Sequence, residues 1–577
     1  MTPASCHEFY VAPQGSDQND GIKDSPFKTV ERAQRAARKT DKSKPGKTVV
    51  HLRGGTYTLE RTIEFDVRDS GTASHPVVYQ AYPGEQPVLS GGRHLDGWEK
   101  VGKLLYQAST GGLDFRQLYV NGRKASRSRF PNPGSYLNLA EWNEQNQTIL
   151  LPPGTVRDWQ HFDEVEMYVQ MQWSVALMRL ETFSVKAQGV ELTVKNPERD
   201  MVFRRRYPMK LPGQSFHFEN AREFIDRPGE WSLSRREGIC CYLPRAGEKM
   251  DSAEVIVPQL ETLLSVKGTL DQPVEYLRFE GLTFMHSSWT MPSDRGYLNV
   301  QAGQYSLEPT DKDVQYVGRP PSAVYVACAG HLVFKRNVFK KLGSTGLDLH
   351  YGTHDCEVAG NVFYDIAGTA VSHTRLSDPD VEIHTPYNPV DQRDLCVNDW
   401  IHNNWIESVG YEYGGSVGIL SGWPVAVKIE HNELRHLAYS GISVGWGWTA
   451  VPNAMHDNLI RWNHIDSPME LFSDGAGIYT LSEMPGSLIF RNVVSNVNAS
   501  GWAVGAASPK CYYMDERSGG ITFQQNCASA GSGVERYLFN QPGDIRILPM
   551  DASMVPDIIK NAGLDPEYRD IGKQAVD

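Results

Sequence analysis

What this sequence lacks narrows it first. In 577 residues no apolar run approaches the roughly 18 that a membrane-spanning helix needs, and the opening "MTPASCHEFYVAP" holds no apolar segment of signal-peptide type. Positive charge is in deficit: 57 Lys and Arg against 69 Asp and Glu leave a formal charge of −12. The one cationic run, "RKTDKSKPGK", carries Asp41 and Pro45 and reads as a solvated turn. Without basic clusters to neutralise phosphates, nucleic acid is not an expected partner. Cysteine is sparse, 8 in the whole chain, and the adjacent Cys240 and Cys241 have neither zinc nor redox spacing. A disulfide framework is excluded, and ordinary buried thiols are expected. No phosphate-binding loop or dinucleotide fingerprint occurs.

What is present is globular composition, 40% hydrophobic and 22% charged, in a chain too long for one simple core. A repeat dominates the second half. The phrases "KRNVF", "AGNVF", "HNNWI", "EHNEL", "RWNHI", "FRNVV" and "QQNCA" put Asn337, Asn361, Asn404, Asn432, Asn463, Asn492 and Asn526 in one context, at spacings of 24, 43, 28, 31, 29 and 34. Between them lie short runs such as "GLDLHYG" and "SLIFRNVV". Their Val, Ile, Phe and Thr favour strands, while frequent Gly and Asn would break helices. Asn tolerates the left-handed backbone of a sharp turn, and stacked Asn side chains can hydrogen-bond from coil to coil. The expected fold class is therefore all-β: a parallel β-helix with Asn corners, coils about 4.8 Å apart and loops of uneven length on one side.

The rest of the chain suits that architecture. "SPFKTVERAQRAAR" predicts a short capping helix with Ser25 as N-cap and Pro26 at its first position, so residues 1–92 read as cap and first coils. From 93 to 255 the Asn pattern stops and "FDEVEMYVQ" and "GVELTVK" alternate like antiparallel strands, which predicts an inserted β-sandwich. Solenoid text resumes over 256–545, and 546–577 read as a tail packed on the last coil.

The order of several phrases is informative. "FYVAPQGSDQNDGIKDSPFKTVERAQRAAR", "VHLRGGTYTL", "PVVYQAYPGEQPVLSGG" and "RQLYVNGRKASRSRFPN" resemble the right-handed parallel β-helix proteins of carbohydrate metabolism, which implies a right-handed parallel β-helix here. Later, "YSGISVGWGW", "DGAGIYTL" and "YYMDERSGGITFQQN" are similar to glycoside hydrolase family 141. That resemblance implies hydrolysis of glycosidic bonds in a plant or microbial poly- or oligosaccharide, of α-L-fucosidase or xylanase type. It implies no cofactor, a secreted or periplasmic setting, and a catalytic pair at Asp474 and Asp515.

Residue chemistry agrees with that pair. Glycosidic cleavage needs one carboxyl to protonate the leaving oxygen and a second to activate water or attack carbon. Asp474 lies between corners Asn463 and Asn492, and Asp515 between Asn492 and Asn526, which places them on adjacent coils. Glu516 is the next acid. "VGWGWTA" offers Trp446 and Trp448 between glycines as a wall for sugar rings, with Tyr479, His286 and Trp289 as further lining. Two rivals stand beside this reading. A polysaccharide lyase or uronate epimerase would use Lys510 or Arg517 as base, often with calcium, and a non-catalytic glycan-binding solenoid would need neither. His350, His354 and Asp355 have histidine spacing reminiscent of a zinc helix, but strand text surrounds them. Asp17 and Asp20 in "GSDQNDG" lack the remaining ligands of a calcium loop and read as a turn.

Overall fold

The computed structural model describes residues 5–311, 313–377, 379–505 and 507–575. Its backbone is a parallel β-helix with sheets of 12, 10 and 11 strands. In one coil, Lys428–Glu430 runs in the first sheet, Asn432 turns the chain, Glu433–Leu437 runs in the second sheet and Ile442–Val444 in the third. The next coil repeats this in register, with Lys428 opposite Leu459, Glu433 opposite His464 and Ile442 opposite Ile478. Inward apolar residues from all three sheets, such as Ile429, Leu434 and Ile442, form one continuous core.

The Asn corners are the stack that the repeat predicts. Asn432 Oδ1 accepts from the backbone N–H (3.1 Å) and the Nδ2 (2.9 Å) of Asn404, and its own Nδ2 donates to Asn463 Oδ1 and to the Ile401 carbonyl. The same contacts run from Asn337 to Asn526, all buried. Each side chain therefore satisfies backbone groups that the corner would otherwise strand away from water. Asn432→Ala leaves the Asn404 backbone N–H and one Asn404 Nδ2 hydrogen without their partner. At about 1–3 kcal/mol for each orphaned group, a loss of about 3 kcal/mol or more is expected in denaturant unfolding.

The amino-terminal helix differs from expectation at its start. It spans Val30–Ala37 with Thr29 as N-cap, and Val30, Ala33 and Ala37 enter the end of the main core. Ser25, Pro26 and Phe27 stay extended because Phe27 pairs with the first strand: its N–H donates to the Tyr10 carbonyl and its carbonyl accepts from Ala12. Asp17 is occupied in the same junction, accepting from the Lys28 and Thr29 N–H groups and from the Thr29 hydroxyl.

Between Pro87–Ser90 of the second sheet and Leu264–Lys267 of the third, the chain leaves the solenoid, and Pro87–Ser90 pairs directly with Thr283–Met285 once it has returned. This excursion builds two cores of its own, one around Trp142, Met167 and Phe216 and one around Trp231, Tyr242 and Val255. A later loop joins it, since Tyr297–Gln301 pairs with Val175–Lys186 through Leu298 opposite Ala176. The carboxy-terminal segment touches the last coil, where Ile558 packs on Val493 and Cys527, and then runs back over the outer face of the second sheet, where Leu564, Tyr568 and Ile571 pack on Val338, Val362, Tyr364 and Trp405.

Candidate active site

The outer face of the third sheet carries a cleft of about 510 Å³, walled on its far side by the excursion. Asp474, Tyr479, Tyr513, Asp515, Glu516 and Asn540 come from the last coils. Trp448 and His384 come from solenoid loops, and Gln172, Trp173, Tyr207 and Gln301 face them from the excursion and the loop that joins it.

Asp474 sits just before the strand Ala476–Thr480, at φ 54°, a left-handed conformation that Asp accepts more readily than most residues. The turn is held from outside and beneath. Ser473 donates through its N–H (2.9 Å) and hydroxyl (3.1 Å) to the Gln172 carbonyl, and the Tyr439 hydroxyl donates to the Asp474 carbonyl at 2.9 Å. The excursion thus fixes the turn that presents the carboxyl. Asp515 follows the neighbouring strand Lys510–Met514, and the two strands pair with Ala476 opposite Lys510 and Thr480 opposite Met514. The carboxylates lie on adjacent coils, as the corner count indicates, but at opposite ends of the strand pair.

Their surroundings differ. Burial pushes the Asp474 carboxyl above its usual range, the Asp515 charge adds to this, and Lys510 opposes it, with Nζ 3.5 Å from Asp474 Oδ1. Both Asp515 oxygens are engaged: Tyr479 Oη donates to Oδ2 at 2.6 Å and Asn540 Nδ2 donates to Oδ1 at 2.8 Å. Burial and the Asp515 charge also raise Glu516. Burial and nearby carboxylates raise the Tyr479 and Tyr513 phenols, so both stay protonated donors.

The sequence-level lining residues divide. Trp448, Tyr479 and Glu516 are in the cleft. Trp446 is not: it is 0% exposed, and its indole donates to Ser377 Oγ at 3.0 Å. The flanking Gly445 and Gly447 have φ of 96° and 91°, which let one ring tuck into the core while the next turns outward. His286 is buried against Tyr119 with Nδ1 at 2.9 Å from Ser90 Oγ, and burial holds its pKa down at about 3. Trp289 is buried among Tyr297, Tyr305 and Tyr413. Both belong to the junction between excursion and solenoid and do not line the cleft.

Trp173 and Tyr207 are the wall that sequence reading misses. Trp173 lies in the tight turn after Glu166–Gln170, where Met171 N–H donates to the Ser174 carbonyl, and its indole donates to the Val300 carbonyl at 2.8 Å. A tryptophan in a hairpin turn is the local signal, since a turn cannot bury it by itself. With Trp448 in the same cleft, aromatic surface is available for a sugar ring to stack on. Trp173→Ala is expected to raise KM about tenfold with kcat nearly unchanged in steady-state kinetics, the pattern of lost uniform binding.

Metal-capable clusters lie elsewhere. His331, His354 and Asp355 converge at a half-exposed corner, where His354 Nε2 lies 3.4 Å from Glu275 and Nδ1 lies 3.2 Å from Asp355, an arrangement of surface ion pairs. His350 points away to the Tyr325 hydroxyl at 2.9 Å. His373 spans Ser421 Oγ (2.7 Å) and Asp399 Oδ2 (3.1 Å) like a hydrolytic triad, yet His373 and Ser421 are fully buried and no substrate reaches them.

A parallel β-helix with two unlike carboxyls in an aromatic-walled cleft defines a carbohydrate-active protein. Comparison with known proteins supplies the family. The model of the GH141 insertion domain matches residues 105–245. A solved glycoside hydrolase structure aligns with a TM-score of 0.92 at 34% identity, covering 98% of this chain and 100% of that one. Pectate lyase PEL9 of Emericella nidulans is 39% identical over 84 residues, 15% of this chain and 18% of the lyase. The uncharacterized protein YwoF of Bacillus subtilis is 42% identical over 83 residues, 14% of this chain and 15% of its own length. The chain thus spans less than a fifth of those two curated relatives. It belongs to the glycoside hydrolases and carries the insertion domain described for GH141.

Proposed function

We propose that the protein hydrolyses a glycosidic bond at the end of a neutral plant or microbial glycan, with Asp474 as general acid and Asp515 as the base. The observation that carries this reading is the asymmetry of the two carboxyls in one cleft. Asp474 is the one held toward its protonated form, and Asp515 is anchored through both oxygens. The substrate classes that suit the family resemblance are α-L-fucosides and β-xylosides.

The offset of the pair along the strands bears on stereochemistry. Ala476 to Thr480 spans about 13 Å at roughly 3.3 Å per residue, and the acids flank that stretch. They are therefore offset along the strands and not at equivalent positions of neighbouring coils, which speaks against the roughly 5 Å spacing of a retaining pair.

The short likeness to a pectate lyase raises cleavage of uronates by elimination as a second reading, with Lys510 as base. The cleft opposes it. Its charged lining is Asp313, Asp474, Asp515 and Glu516 with His384, and among the described residues no Lys or Arg lines it. A polyuronate would meet four carboxylates there and no fixed cation. The test is a panel of aryl α-L-fucosides, aryl β-xylosides and oligouronates, with the first product followed by NMR. Turnover of a neutral glycoside with inverted anomer is expected. Activity confined to uronates, with an unsaturated product, contradicts the reading.

A further inference from the structure

Lys510 is a buried ammonium that the acid–base pair alone does not explain. Its side chain is 1% exposed, and Nζ lies 3.5 Å from Asp474 Oδ1 and 4.3 Å over the centre of the Tyr513 ring. Among the described residues Nζ has no hydrogen-bond partner of good geometry. Its position is fixed by the backbone, because the Lys510 N–H donates to the Gly475 carbonyl, one residue beyond Asp474, at 3.0 Å. Burying an ammonium with so little compensation costs several kcal/mol, and an apolar side chain at this position would avoid that cost. Since Nζ is sealed from the cleft, it does not touch substrate.

We infer that Lys510 is a positioning residue for the acid: its fixed charge sets the protonation of Asp474 and stabilises the carboxylate that Asp474 becomes. This rests on the reading of Asp474 as acid. In that step the Asp474 O–H bond breaks and its proton passes to the glycosidic oxygen. The electron pair of the breaking carbon–oxygen bond goes to that oxygen, and negative charge appears on Asp474. Lys510 already faces the oxygen where the charge appears, so its attraction grows as the bond breaks and favours the transition state over the ground state. A neutral residue there would leave the new carboxylate in a desolvated site with Asp515 as its charged neighbour.

The groups that act on the pair are few. Burial raises Asp474, Lys510 pulls it down and Asp515 raises it; burial holds the Lys510 ammonium below its ordinary range, against the opposing pull of the Asp474, Glu535 and Asp515 charges; Glu516 is a further acid that feels both aspartates. Tyr439 and Tyr513 pack there as neutral phenols. Lys510 is the member that pulls the Asp474 pKa down. Removing its charge therefore raises that pKa further, and the high-pH limb of kcat/KM, where the acid loses its proton, moves to higher pH.

The test compares Lys510→Met and Lys510→Gln with Lys510→Arg, each checked for wild-type unfolding temperature. In the neutral variants the high-pH limb should rise by about one pH unit or more, as expected for loss of an opposite charge within ~4–6 Å. Turnover of an alkyl or phenyl glycoside should fall about 10- to 100-fold, and that of a dinitrophenyl glycoside, which leaves without a proton, should barely change. Lys510→Arg should keep the wild-type limb. Difference infrared spectroscopy of the Asp474 carboxyl, referenced to Asp474→Asn, reads the same rise without turnover. If Asp474→Asn itself keeps the high-pH limb, the acid assignment falls. If Asp474→Asn loses that limb while folded Lys510→Met keeps it and slows all leaving groups equally, only the role of Lys510 falls.

Discussion

Asp515→Asn is expected to abolish turnover on every glycoside, with kcat down by about 10⁴-fold and substrate affinity retained in calorimetry. An amide cannot take a proton from water, so the loss does not depend on the leaving group. The fold should tolerate the change. Tyr479 can still donate to the amide oxygen, as it does to Oδ2 now at 2.6 Å, and Asn540 can flip its amide to accept. An unchanged unfolding temperature with lost kcat then separates chemistry from structure. The variant also removes the charge that raises the Asp474 pKa, so that pKa should fall toward the ordinary carboxylate range.

Asp474→Asn is expected to behave differently. Loss of the acid should cost about 10²–10⁴-fold on substrates whose leaving oxygen needs a proton, and less than about tenfold on a dinitrophenyl glycoside. In wild type, kcat/KM should fall at high pH as Asp474 loses its proton. Because burial and the Asp515 charge raise Asp474, the high-pH limb lies above the range of an exposed carboxyl. The variant should lose that limb alone. A variant equally slow on all leaving groups would place the acid elsewhere, with Glu516 next in the cleft.

The parts of this structure that sequence conveys are those imposed by local backbone need. An Asn at each corner answers the backbone of its own coil and the next, so Asn337 to Asn526 mark the solenoid before any coordinates. The same corners order Asp474 and Asp515 onto adjacent coils, and the family resemblance singles them out among many acids. Long-range packing is not conveyed. Nothing near Trp173 says that its turn shares a cleft with Trp448, because the two are brought together across some 275 residues of chain. Trp446 shows the converse failure: glycines that suggest exposure give the backbone freedom to bury the ring. Ser25 and Pro26 have the look of a helix start, but pairing of Phe27 with the first strand delays it to Thr29.

The proposed roles share one cleft: Asp474 as a buried acid tuned by its neighbours, at a turn that the excursion holds in place, and Asp515 as an anchored base. The central claim is that they add water across a neutral glycosidic bond. Its most direct test is turnover of a neutral oligosaccharide in water labelled with heavy oxygen, followed by mass spectrometry of the released sugar. One labelled oxygen at the anomeric carbon is expected with wild type, and no labelled product with Asp515→Asn. Unlabelled, unsaturated product, or the same label incorporated by Asp515→Asn at the wild-type rate, would contradict it.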